Sequence, residues 1–141
     1  MIENLAEYFE SEYEYYLDKI SYERIEQDEE LKEHSLTCAD NIEAELCGDT
    51  VTITIMRTLY FEPEELFSLS VAFGAVLRFN EEKRAEYDWQ SINLAEEFRM
   101  NGQFVLANLM SRISLMISQI TSSYGQTPLI LPPQVASKES E

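Results

Sequence analysis

The sequence predicts an α+β domain: a four-stranded antiparallel β-sheet, read as a meander, with one long, kinked α-helix packed on one face. Three observations carry that reading. From Phe67 to Phe79 every second residue is apolar (Phe67, Leu69, Val71, Phe73, Ala75, Leu77, Phe79), and most residues between them are small. Such period-two alternation belongs to an antiparallel sheet with one covered face. Gly48-Asp49 separates two further alternating runs, as a tight hairpin does. Finally, between Met100 and Ser137 only Arg112 is charged, in a chain whose formal net charge is −17. A helix there lacks the charged stripe of an ordinary surface helix, so it is buried or faces a partner.

Taken in order, residues 1–14 are Glu-rich with scattered Tyr and Phe, and read as a short helix or a mobile acidic tail. They precede a single domain over 15–135, and 136–141 form a polar end. Tyr15 to Glu26 reads as the first strand, with Ile20, Tyr22 and Ile25 as apolar anchors. Residues 27–40 are charged and turn-like. Ile42, Ala44 and Leu46 alternate with Glu43, Glu45 and Cys47 as a half-buried strand. Val51 to Phe61 is the return strand, on which Arg57 interrupts the apolar face. The turn at 62–65 leads into Phe67–Phe79, and 80–90 is a charged loop. Asn93 with Glu96 resembles a capping box and opens a helix over 91–124. Asn101-Gly102 weakens or breaks that helix, and Gly125 is a natural stop. Pro128, Pro132 and Pro133 keep 127–135 extended.

Composition narrows the function classes. At 141 residues the chain suits one domain with a real core. Its 45% hydrophobic content, with seven Phe and eight Tyr, excludes wholesale disorder. A pI near 4.3 argues against nucleic acid and anionic membrane, which need a basic footprint. Phe104 to Ile120 is short for a span and holds Asn108, Arg112 and three serines, so membrane insertion is not expected. An acidic start and two cysteines without a CxxC fit a cytoplasmic protein.

Signals for chemistry are weak. The sole histidine, His34, stands four residues before Cys38, with Cys47 further on. A zinc site wants three or four such ligands, so no metal is expected. Adjacent carboxylates such as Glu64-Glu65 carry no information in a chain this acidic. There is no Gly-rich phosphate loop and no calcium-binding loop. No cofactor and no catalytic residues are expected, and the chain reads as a protein that works by contact, not an enzyme.

Along the second half of the helix, Ser111, Ser114, Ser118 and Ser122 form a stripe of small side chains. Leu109, Ile113, Met116, Ile117 and Ile120 supply a wide apolar face. Small residues let another helix approach, and Met adapts to several packings. We therefore expect a homo-oligomer with Leu109, Met116, Ser111, Ser114 and Ser118 near the contact; the alternative is that the stripe is a mild solvent-facing strip.

Three segments together resemble the bacterial export chaperone SecB and its divergent SecB-like relatives. Lys19-Ile20-Ser21-Tyr22-Glu23 is similar to the family's first strand, Asp-Ile-Ser-Phe-Glu. Val51-Thr52-Ile53-Thr54, with Phe67 and Val71-Ala72-Phe73-Gly74, is similar to its third and fourth strands. Tyr124 to Pro133 with Val135 is similar to the Gly-x-Phe-Pro…Leu-x-Leu-x-Pro-Val stretch after its long helix. The resemblance spans about 17–135.

It implies an ATP-independent holdase that keeps unfolded polypeptide clients, preproteins or antitoxins, in an apolar groove. It also implies a dimer or dimer of dimers, built through the sheet edge and the long helix, and delivery to the SecA motor. Candidate client contacts are Leu129, Ile130, Leu131, Val135, Tyr8 and Phe9; the alternative for the tail positions is that they pin the tail to the core. Glu23 is the remaining acidic member of the family's motor-docking surface, since Lys19 and Ser70 stand where it has Asp and Glu. The family's last helix has no counterpart after Val135, so the groove is either more open or covered by Leu5, Tyr8 and Phe9. The alternative function is an adaptor or inhibitor that binds one folded, basic protein.

Overall fold

A computed structural model describes residues 2–25, 35–62, 66–123 and 129–135. The turn at 63–65, His34, the expected helix stop at Gly125 and the polar end 136–141 lie outside them. Four strands, β1 (Glu14–Ile25), β2 (Ser35–Cys47), β3 (Thr50–Glu62) and β4 (Leu66–Arg78), are followed by helices α1 (Leu94–Asn101) and α2 (Gln103–Ser122).

The sheet is antiparallel throughout, in the order β1-β4-β3-β2. β2, β3 and β4 do form a meander. β1 does not join it beside β2 but lies at the far edge against β4, which makes a Greek-key order and corrects the simple meander. Hydrophobicity explains the choice. β4 is buried along most of its length, including Ala72 and Gly74, and such a strand needs a hydrogen-bonded neighbour on both sides. The more polar β1 and β2 take the edges. β2 also starts at Ser35, inside the stretch expected to be turn-like.

The hairpin between β2 and β3 turns at Gly48, whose φ of 61° suits glycine. Val51, Ile53, Ile55 and Leu59 on β3 share the inner face with Leu69, Val71, Ala75 and Leu77 on β4, and each is at most 1% exposed. Full burial of a Val, Leu or Ile contributes about 1.5–3 kcal/mol.

α1 is capped as its sequence implies: the Asn93 side chain accepts the Glu96 backbone N–H at 3.2 Å. The helix stops at Gly102, whose N–H reaches the Phe98 carbonyl at 2.8 Å, and α2 restarts at Gln103. A Cβ at Gly102 would collide with that carbonyl. α2 turns Val105, Leu106, Leu109, Met110, Ile113 and Ile117 onto the inner face of the sheet. By length and composition alone α2 is apolar enough to cross a membrane, yet this face is occupied by the protein's own sheet.

The N-terminal segment is not a mobile tail. A turn of 3₁₀ helix at Leu5–Tyr8 leads to Phe9, which bridges Phe79 at the end of β4. Tyr8, Phe9, Phe79, Trp89, Phe98 and Phe104 form one aromatic cluster, with ring centroids about 5–6 Å apart. The Ile2 N–H donates to a Glu97 carboxylate oxygen at 2.9 Å, and Lys83 pairs with Glu7 at 2.9 Å. The apolar minority of this segment outweighs its acidic surroundings.

Candidate functional site

Three surfaces and one recess stand out among the described residues once the core is accounted for. The first is the inner face of β1. Cross-strand partners share a face, so Tyr15, Leu17, Ile20 and Tyr22 lie on the helix side, opposite Ala75, Phe73, Val71 and Leu69. A bulge at Asp18 makes this possible. It shifts the inward positions from odd to even numbers between Leu17 and Lys19, and Ile20 and Tyr22 follow on the same face as Leu17. Ile25, expected to anchor with them, falls on the other face.

These side chains are only partly covered. Tyr15, Leu17, Ile20 and Tyr22 are 41–45% exposed, because α2 sits over β4 and β3 and leaves β1 as a shoulder. Arg112 lies over the Tyr15 ring at 4.1 Å, and Asn108 donates to the Tyr13 hydroxyl at 3.2 Å. Leu115, one turn further along α2, is also exposed. The result is an apolar ledge beside an edge strand with one ladder partner.

The second surface lies on the opposite flank of α2, over β3 and β2. Here the tail 129–135 is tied down. Leu129 N–H donates to Thr121 Oγ1 at 2.9 Å. Arg57, only 2% exposed, donates through Nη1 to the Pro132 carbonyl at 2.9 Å and through Nη2 to the Gln134 carbonyl at 2.7 Å. The same guanidinium forks onto Asp40 through Nε and Nη2, both at 2.8 Å. Burial works against the Arg57 charge, but the Asp40 hydrogen bonds and charge outweigh it and hold the guanidinium above its ordinary pKa. Cys38 lies on the same face of β2 as Asp40; burial pushes its thiol pKa up, with nearby Arg57 opposing.

The third surface is the outer face of the sheet. Thr52, Thr54 and Thr58 of β3 face Val76, Gly74 and Ser70 of β4 across the ladder. Thr58 and Ser70 hydroxyls are hydrogen-bonded at 3.1 Å, and the Tyr16 ring lies over Gly74. Lys19, Ser21 and Glu23 of β1 pair with Ala72, Ser70 and Ser68, so Lys19, Ser70 and Glu23 share one patch.

A further recess opens at the end of β2, lined by Ala44, Leu46, Trp89, Ile92 and Leu94, with a volume of about 440 Å³.

The expected site residues separate in this frame. Tyr8 and Phe9 are 4% and 5% exposed in the aromatic cluster, so they are core residues and not client contacts. Leu129, Leu131 and Val135 pack partly buried against the core, whereas Ile130 is 84% exposed. Leu109 is fully buried within its own chain and cannot line an oligomer contact. It sits on the sheet-facing side of α2, four residues from Val105 and Ile113. Met116 is partly buried against the core. Ser111 and Ser118 donate to the Ala107 and Leu115 carbonyls of their own helix, both at 2.9 Å. Ser114 Oγ is buried with no hydrogen-bond partner among the described residues. Among those residues no three His, Cys, Asp or Glu side chains converge as a metal site.

Sequence reasoning missed the clamp. Its one signal was Arg57 at an inward position of an apolar strand, matched by Asp40 on β2.

No protein-family model matches the chain, and no curated protein matches it by sequence. Among solved structures, it is similar to the Mycobacterium tuberculosis Rv1957 SecB-like chaperone, solved in complex with a ChAD peptide from the Rv1956 HigA1 antitoxin. The TM-score is 0.66 at 13% identity, over 91% of this chain and 92% of that one. The fold is SecB-like.

Proposed function

We propose that this protein is an ATP-independent holdase that binds unfolded or non-native polypeptides, preproteins or antitoxin-type clients, by apolar contact in the cytoplasm. The observation that carries the reading is the apolar segment 129–135 of a SecB-like fold, which the rest of the chain binds through main-chain carbonyls and an N–H. The half-exposed ledge of Tyr15, Leu17, Ile20 and Tyr22 is a second apolar surface, and an apolar edge of this kind either pairs with a second copy or accepts an extended chain as an added strand. That the similar structure holds a peptide supports a polypeptide as the thing bound. No step of this work needs a catalytic residue, a metal or a nucleotide.

We assign the ledge to the homo-oligomer contact, a dimer or dimer of dimers, together with Arg112, Leu115, Met116 and the exposed serines of α2. The groove that seats the tail 129–135, with Ile130 exposed beside it, and the recess beside Trp89 are then the client-facing surfaces. SecA docking at the outer face is weak in this reading. Glu23 keeps its sign there, but Lys19 shares its patch and Ser70 adds no charge, and exposed pairs contribute about 0–1 kcal/mol each.

The net charge of −17 favours one second reading, an adaptor or inhibitor that binds a single folded basic protein. Titrating one protein in its unfolded and folded forms separates them. A holdase binds the unfolded form only, and an adaptor is indifferent to unfolded chains.

A further inference from the structure

The tail's hydrogen bonds to Arg57 and Thr121 are made by its main chain, and its side chains add apolar packing. Pro132 and Gln134 carbonyls, two residues apart across a bend at Pro133 and Gln134, both meet one guanidinium, at 2.9 and 2.7 Å. The third polar contact is also main chain, from Leu129 N–H to Thr121 Oγ1. Pro132 and Pro133 have no N–H to offer, and the groove asks for none at those positions. Side chains contribute only bulk: Leu129, Leu131 and Val135 pack against the core, and Ile130 points away. Asp40 neutralises Arg57, so the site offers donors without a net charge and takes neutral carbonyls.

We propose that this groove, between α2 and the β2–β3 half of the sheet, is a peptide site that reads main-chain carbonyls. The chain's own residues 129–135 are its resting occupant. The partner it fits is an apolar, proline-tolerant polypeptide segment that displaces the tail. This rests on the polypeptide-holding function proposed above and specifies where and how a client segment enters. Exchange, not vacancy, is the operating mode. An empty groove strips two acceptors from a buried guanidinium, which is costly, while an incoming segment restores them. The tethered tail acts as an intramolecular competitor at high effective concentration and sets the threshold a client must exceed.

The test uses the full chain and a fluorescent, end-capped synthetic peptide of residues 129–135, followed by anisotropy. In the wild-type protein the tail competes and binding is weak. The triple variant Leu129→Ser, Leu131→Ser, Val135→Ser frees the groove, and its affinity for the peptide rises about ten-fold or more, a difference of about 1.4 kcal/mol. A peptide with both prolines replaced by Ala binds the variant within about two-fold of the natural one. A peptide carrying the three Ser replacements does not bind. In the triple variant, Arg57→Lys, which keeps the charge opposite Asp40 but loses the fork, weakens peptide binding while the thermal melt stays cooperative. Equal affinity for wild type and triple variant, or binding to neither, overturns the proposal. Peptide binding without suppression of client aggregation keeps the groove and removes the holdase. Suppression without peptide binding keeps the holdase and removes the groove.

Discussion

Asp40 and Arg57 stand directly opposite each other on β2 and β3, with side chains 0% and 3% exposed and both fork contacts at 2.8 Å. The pair lies on the inner face of the sheet and also carries the tail. Removing one partner of such a pair leaves an uncompensated buried charge. Arg57→Ala is therefore expected to lower stability by about 3–5 kcal/mol. Arg57→Met with Asp40→Leu recovers a substantial part, because two apolar groups leave no charge behind. Urea denaturation of the two variants measures the difference.

Phe9 stacks on Phe79 at 4.9 Å and is 5% exposed. Phe9→Ala opens a cavity in the aromatic cluster and costs about 3–5 kcal/mol. Deleting residues 1–14 does the same or worse. By composition the segment reads as a short helix or a mobile acidic tail; the packing of Leu5, Tyr8 and Phe9 makes it part of the core. Thermal unfolding of the deletion variant decides it, and an unchanged midpoint contradicts the docking described here.

Gly→Ala usually stabilises a helix by up to about 1 kcal/mol. Gly102→Ala is expected to do the opposite. A Cβ there meets the backbone carbonyl of Phe98, which cannot swing away as a side-chain tip can. A loss of about 1–3 kcal/mol by chemical denaturation is expected, in the range of other overpacked positions.

The fold was largely legible where the signal is local. The β4 alternation, the Gly48 hairpin, the Asn93–Glu96 cap and the break at Gly102 are each written in a few adjacent residues. The Greek-key order was not, because the choice of β4 over β2 as β1's partner depends on how apolar β4 is as a whole. The bulge at Asp18 shows as a change of phase from Tyr15 and Leu17 to Ile20 and Tyr22, which a single strand reading passes over. At the candidate site, the tail's prolines mark a non-helical segment and its apolar positions are visible, but the chain bends at Pro133 and Gln134 instead of staying extended. What holds it is not legible, since Arg57 and Pro132 are far apart in sequence. Leu109 and the serines were grouped by proximity along α2, and helical geometry puts Leu109 on the sheet-facing side.

Leu17→Lys with Ile20→Lys tests the ledge. Both positions are 43–45% exposed, so the expected change in stability is within about 0.5 kcal/mol per site. The expected effect on assembly is large: charge on a self-complementary edge repels its own copy. Sedimentation at micromolar concentration should show an oligomer for the wild type and smaller species for the variant. A wild-type monomer at high concentration contradicts the oligomer reading.

The most direct measurement of polypeptide holding is light scattering from several unrelated proteins diluted from denaturant, without nucleotide, at near-stoichiometric amounts of this protein. Suppression of aggregation across all of them is the expected result. Failure to suppress any of them, alongside stable binding to one folded basic protein, contradicts the holdase and leaves the adaptor in its place.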